Sequence, residues 1–101
     1  MSVTNKDAVI KILKKNKDLF YNKYGVTALY LYGSFSKGKV SGKSDVDLLV
    51  DMPRKHKKYK NYREMKNFLQ KIFNREVDLV YMDSLNPVIK EEIKGETIKI
   101  E

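Results

Sequence analysis

Short runs of strand character alternate with segments of helical period along this chain, and that alternation most limits the folds open to it. VTALYLY at 26–32, DVDLLVD at 45–51, EVDLVYM at 76–82 and TIKI at 97–100 are rich in β-branched and aromatic residues, as half-buried strands are. Ahead of them Val9, Ile12, Leu13 and Phe20 recur at helical spacing. The spacing predicts a helix over 5–23, capped by Thr4 or Asn5 and stopped by Gly25. Met65, Phe68, Leu69, Ile72 and Phe73 predict a second amphipathic helix over 61–73. Ser84 or Asn86 with Pro87 opens a short third helix that Gly95 closes. Strands interleaved with helices imply an α/β domain, one mixed sheet of about four strands flanked by helices. A chain of 101 residues has material for one core and not for two, so residues 1–101 are expected to form a single domain.

Composition removes several classes of function. Hydrophobic residues at 42% and charged residues at 34% are ordinary for a globular protein and argue against disorder. No apolar run approaches the roughly 18 residues of a membrane span, and the N-terminus lacks the apolar block of a signal peptide, so a cytoplasmic location is expected and no membrane partner. There is no cysteine, which leaves oxygen ligands or the single histidine to hold any metal. The net charge of +8 favours polyanionic ligands, yet 18 of the 21 basic residues are lysines spread over most of the chain, as on any lysine-rich solvated surface.

The chemistry is carried by acids on strands. Residues i and i+2 of a strand project to one face, so DVDLLVD sets the carboxylates of Asp45 and Asp47 side by side. Two such charges about 4 Å apart repel by roughly 4 kcal/mol at an effective dielectric near 20. A cation such as Mg²⁺, which takes one or two carboxylates with phosphates and water, turns that cost into attraction. Asp78 lies in VDLVY, a run of the same character as DVDLLV, and with the two strands adjacent it joins the same patch. Three converging aspartates suffice for a site of two ions. Gly33 and Ser34 follow directly on a strand, where a missing Cβ admits a phosphate and a hydroxyl can bind its oxygens. The residues after them are expected to open a short helix whose amides add to that cradle, with Lys37, Lys39 or Lys43 as countercharge.

Gly33-Ser34, ten residues, Asp45-x-Asp47, an apolar strand and a later Asp78 together resemble the minimal nucleotidyltransferases of the DNA polymerase β superfamily. The resemblance runs through LYLYGSFSKG, SDVDLLVD, EVDLVYMD and NPVIKEEIKGETIKIE, nearly the whole chain. It implies that Asp45 and Asp47 bind metal and that Asp78 is the third catalytic acid and metal ligand. Gly33 and Ser34 would then hold the triphosphate, with Lys37 and Ser44 in support. Small prokaryotic members pair with a HEPN-type helical toxin and act as its antitoxin, moving AMP from ATP to a hydroxyl of the toxin, with tyrosine the expected acceptor. The implied cofactor is Mg²⁺, two ions, and the implied assembly is an oligomer with that partner. Relatives commonly carry arginine where Lys37 stands; lysine keeps the charge and loses bidentate binding of phosphate.

Each feature also has a plainer origin. Gly-Ser is a common turn, Asp-x-Asp a common solvated strand end, and His56 within RKHKKYK a solvated loop histidine with no assigned role. Tyr30 and Tyr32 are expected to form one strand face packed under a helix. Two rival functions remain open from sequence: an antitoxin that neutralises its partner by covering it, without catalysis, and a basic nucleic-acid-binding module. No RNP-like or helix-turn-helix pattern supports the second, and nucleic acid is not an expected partner.

Overall fold

The structure is a computed structural model and describes residues 4–101. Asn5 caps the first helix, its side chain accepting the Ala8 amide at 2.8 Å, and α1 runs Lys6–Lys15 with Val9 and Leu13 buried. The continuous helix expected to residue 23 breaks at Asn16. There the side-chain amide donates to the Ile12 carbonyl at 2.8 Å, the kind of local bond by which Asn competes with a helix. A short α2, Lys17–Leu19, leads into a π-helical turn at Phe20–Tyr24. The wider turn brings Phe20 and Tyr24 to one side, where both rings meet Phe68 at centroid distances of 6.1 and 6.4 Å. Gly25 ends it in the left-handed conformation, φ 78°. His56 has a structural place after all, since its imidazole lies against the open face of Gly25.

The sheet has the order β3-β2-β1-β4, with β1 at Ala28–Tyr32, β2 at Val46–Asp51, β3 at Val77–Tyr81 and β4 at Ile98–Lys99. β1 pairs antiparallel with β2 and β4; β2 pairs parallel with β3, by way of α3, Tyr59–Phe73. The expected mixed sheet of four strands is therefore present. Leu29, Leu31, Leu48, Val50, Val77 and Leu79 face the helices, and α3 covers them with Met65, Leu69 and Phe73, spaced by four residues on one side of the helix. Two side chains of α3 also close the outer edge of β3. The Tyr62 hydroxyl donates to the Leu79 carbonyl at 2.7 Å, and Gln70 Oε1 accepts from the Val77 amide at 3.2 Å.

The opposite face carries Tyr30 and Tyr32 from β1, Asp47, Leu49 and Asp51 from β2, and Asp78 from β3. Asn86 caps α4, Pro87–Ile93, by accepting the Ile89 amide at 2.9 Å. Tyr30 lines a shallow pocket together with Lys90 and Ile93 of that helix, so α4 borders this face of the sheet.

A Cβ at residue 25 would fall 2.5 Å from the His56 ring, on a backbone that side chains disfavour. Gly25→Ala is therefore expected to lower stability by about 1–2 kcal/mol, read from urea unfolding. An unchanged midpoint would show that the turn can end without a left-handed residue.

Candidate active site

The parallel register pairs Val46 with Val77, Asp47 with Asp78 and Leu48 with Leu79. The two acids thus stand on neighbouring strands, on the face away from α3. The antiparallel register pairs Asp47 with Tyr32, the last residue of β1, so Gly33 begins its turn next to Asp47. Gly33 has φ 75°, and a Cβ there would collide with Asp47 Oδ2. Glycine is required at 33 twice over, by the backbone and by the carboxylate that occupies the space a side chain would fill.

Asp45 differs from expectation. It precedes β2 instead of opening it, because residues 41–44 are folded into a turn of their own. Ser44 Oγ accepts the Ser41 amide at 2.9 Å and lies 3.2 Å from Ser41 Oγ, while the Ser44 amide donates to the Ser41 carbonyl at 3.2 Å. The Ser44 hydroxyl is engaged in this turn, immediately before Asp45. Alternation along a strand therefore does not place Asp45. Its carboxylate is nonetheless near enough to act on Asp47.

Asp47 is pushed from the ordinary carboxylate value up to about 6, first by burial, then by the charge of Asp78, then by that of Asp45. All three causes act in one direction. Asp51, four residues along the same face, is also raised by burial and by Asp83, but Lys90, Lys57 and Lys99 oppose the rise. Lysines from α4, from β4 and from the loop before α3 thus temper the rise at Asp51, whereas Asp47 meets further acids without such relief. A hard divalent cation fits this oxygen-only set. Among the described residues no three Asp, Glu or His side chains, the three aspartates included, are grouped so as to hold a metal ion by themselves; magnesium characteristically takes one or two carboxylates and completes its shell with phosphate oxygens and water.

The GSFSKG segment makes a run of turns in place of the expected short helix. The Lys37 amide donates to the Gly33 carbonyl at 3.2 Å, closing one α-turn, and the Lys39 amide reaches the Ser34 carbonyl at 2.9 Å. The amides of Ser34, Phe35 and Ser36 are the leading donors of that turn, in the position where helix N-termini meet phosphate. Ser36 Oγ lies 2.9 Å from the Gly33 carbonyl and 2.8 Å from that of Glu96, and Lys37 Nζ lies 3.5 Å from the Glu96 carboxylate. Lys37 is half exposed in this pair, an arrangement worth little against solvent, so its charge remains available.

One contributor escaped sequence reasoning. Arg75 Nη1 donates to the carbonyls of Ser41 and Ser44, both at 2.8 Å, and its guanidinium lies 5.1 Å from the centroid of the Phe35 ring. The partners are 31 to 40 positions away in sequence, and no local pattern announces them.

Residues 9–100 match the family described as nucleotidyltransferase domain. A Methanocaldococcus jannaschii protein provisionally named a protein adenylyltransferase is 32% identical over 92 residues, covering 89% of this chain and 92% of its own. The fold matches a solved structure provisionally described as a minimal nucleotidyltransferase, with TM-score 0.80, 21% identity and coverage of 97% and 98% of the two chains. It also matches a chain in the structure of a tri-AMPylated Shewanella oneidensis HEPN toxin in complex with MNT antitoxin, with TM-score 0.64, 22% identity and coverage of 95% and 71%.

Because its carboxyl is raised, Asp47 favours the fold while protonated. That contribution is complete below the ordinary carboxylate range and is lost as pH rises through about 6. In chelator, Asp47→Asn is expected to be more stable than the parent at about pH 7.5, by about 1–2 kcal/mol after allowing for solvent screening, and equally stable at about pH 4. Urea unfolding at the two pH values checks this, and equal stability at both would mean that the fold does not strain the carboxylate.

Proposed function

This chain belongs to the nucleotidyltransferase domain family and is an enzyme of nucleotidyltransferase type, and from that premise we propose that it transfers AMP from ATP to a hydroxyl, foremost a tyrosine, of a HEPN-type toxin and serves as that toxin's antitoxin. The observation that carries this is the register that sets Asp47 beside Asp78, at the turn where Gly33 leaves room for the Asp47 carboxylate. The relative named for protein adenylylation and the AMP-bearing HEPN toxin found with its MNT antitoxin supply the acceptor class.

In this mechanism Asp45, Asp47 and Asp78 would hold Mg²⁺, which when bound would supply charge neutralisation for the triphosphate and the pyrophosphate. The amides that lead the Gly33 turn, with the Ser34 hydroxyl, bind phosphate oxygens, and Lys37 adds countercharge. Asp78 stands exposed on the edge strand and takes the proton of the acceptor hydroxyl. The acceptor oxygen then bonds to the α-phosphorus in line as the bond to pyrophosphate breaks.

Asp45 and Asp78 are exposed, and Asp47 between them is half-buried. A cavity of about 420 Å³ is lined by Tyr21, Val26, Leu29 and Ile100, at the other end of β1 from Asp47, and holds none of them. An open acidic patch suits an acceptor that arrives already folded on another protein.

The test is to incubate the purified chain and its co-encoded helical partner with Mg²⁺ and α-labelled ATP, and to read the intact mass of both proteins. The partner is expected to gain AMP, and Asp47→Asn or Asp78→Asn to abolish the gain while keeping the fold. A partner unchanged in mass, or full transfer by both variants, would overturn the proposal.

A further inference from the structure

The connection from Gly33 to Asp45 contains both the phosphate turn and the approach to the first acid, yet it has no regular secondary structure beyond its turns. Connections of this length need ties to hold one shape. Lys37, Lys39 and Lys43 along it are exposed, while Val40 between them is partly buried against the core.

Arg75 spans its two ends. At the start, Phe35 is fully buried, and its ring lies under the Arg75 guanidinium at 5.1 Å. At the end, one guanidinium nitrogen donates to the carbonyls of Ser41 and Ser44, both at 2.8 Å, and the second carbonyl belongs to the residue just before Asp45. The local fold aims Arg75 there. Asn74 ends α3 in the left-handed conformation, φ 52° and ψ 43°, which turns the chain back toward the sheet. The Glu76 carbonyl then accepts the Val46 amide at 3.0 Å, so residue 75 runs beside the segment that delivers Asp45.

We infer that Arg75 is a positioning residue for the acidic site: by holding Phe35 on one side and the Ser41 and Ser44 carbonyls on the other, it fixes the phosphate turn relative to Asp45 and sets how tightly the acids take a divalent cation. This rests on the nucleotidyl-transfer function proposed above. Lysine at 75 could reach a carbonyl, but it lacks the planar group that lies on Phe35 while donating twice.

Arg75→Lys and Arg75→Ala separate this from a purely architectural role. In transfer assays the half-saturating Mg²⁺ concentration is expected to rise about tenfold or more in Arg75→Ala and less in Arg75→Lys, with the maximal rate largely restored at high Mg²⁺, as when the group supporting a metal ligand is lost. Without metal or nucleotide, trypsin should cut Arg75→Ala several-fold faster than the parent at Lys39 and Lys43 while the thermal midpoint stays close to that of Arg75→Lys. An unchanged Mg²⁺ requirement, or a loss of rate that Mg²⁺ does not restore, overturns the inference. If the parent transfers no AMP, the proposed function fails instead, and proteolysis alone decides whether Arg75 holds the loop: unaltered cleavage in Arg75→Ala overturns that too.

Discussion

The candidate site hangs from the parallel ladder between β2 and β3. Its register is set by apolar neighbours, because Val46, Leu48, Val77 and Leu79 are all buried beneath the helices, and a slip by one residue would turn them outward. Once they are in place, Asp47 and Asp78 have no choice but to meet. Backbone hydrogen bonds and core burial together hold two negative charges at close quarters, and the partial burial of Asp47 adds to the expense. The contrast with Asp51 is instructive, since Lys90 of α4, Lys99 of β4 and Lys57 lie near enough to that carboxylate to oppose its rise. Asp47 therefore carries an electrostatic cost that is partly relieved at Asp51.

Around this ladder the irregular connection between β1 and β2 does the fine placement. At its start a glycine leaves space that the Asp47 carboxylate occupies, so turn and acid fit together through an absence. At its end the Ser41–Ser44 turn delivers Asp45 from outside the ladder. Between them Phe35 and Val40 anchor the segment on the core, and distant groups restrain it further: Arg75 from the end of α3, and Glu96 through Ser36 and Lys37. The rigid sheet fixes two of the acids, and side-chain bonds fix the third, a division between scaffold and loop common at binding sites.

Much of this was legible because strands and helices write their periods into the sequence. The strand segments fell within a residue or two of their expected bounds, and Val-Asp-Leu occurs in two of them, at the very residues the parallel register places opposite one another. Asp45 was misplaced because period-2 alternation cannot tell the first residue of a strand from the last residue of a turn, and the bonds that decide it come from Ser41 and Arg75. The break at Asn16 and the π-turn after it were hidden for a related reason: apolar spacing reports which side is buried, and a local side-chain bond or an extra residue in a turn leaves that side unchanged. Arg75 was beyond reach, since a contact with a phenylalanine 40 positions earlier belongs to tertiary structure alone.

The closed outer edge of β3 has a consequence for how such a molecule keeps company. Polymerisation by sheet extension requires a strand with vacant amides and carbonyls, but Gln70 and Tyr62 occupy two of those on β3, and the other border of the sheet, β4, is only two residues long. Growth strand by strand is hindered on both flanks, on one by side chains that take up edge groups and on the other by brevity. That leaves side-chain surfaces as the better route to association, where a substitution can change what docks without disturbing the ladder that sets Asp47 beside Asp78.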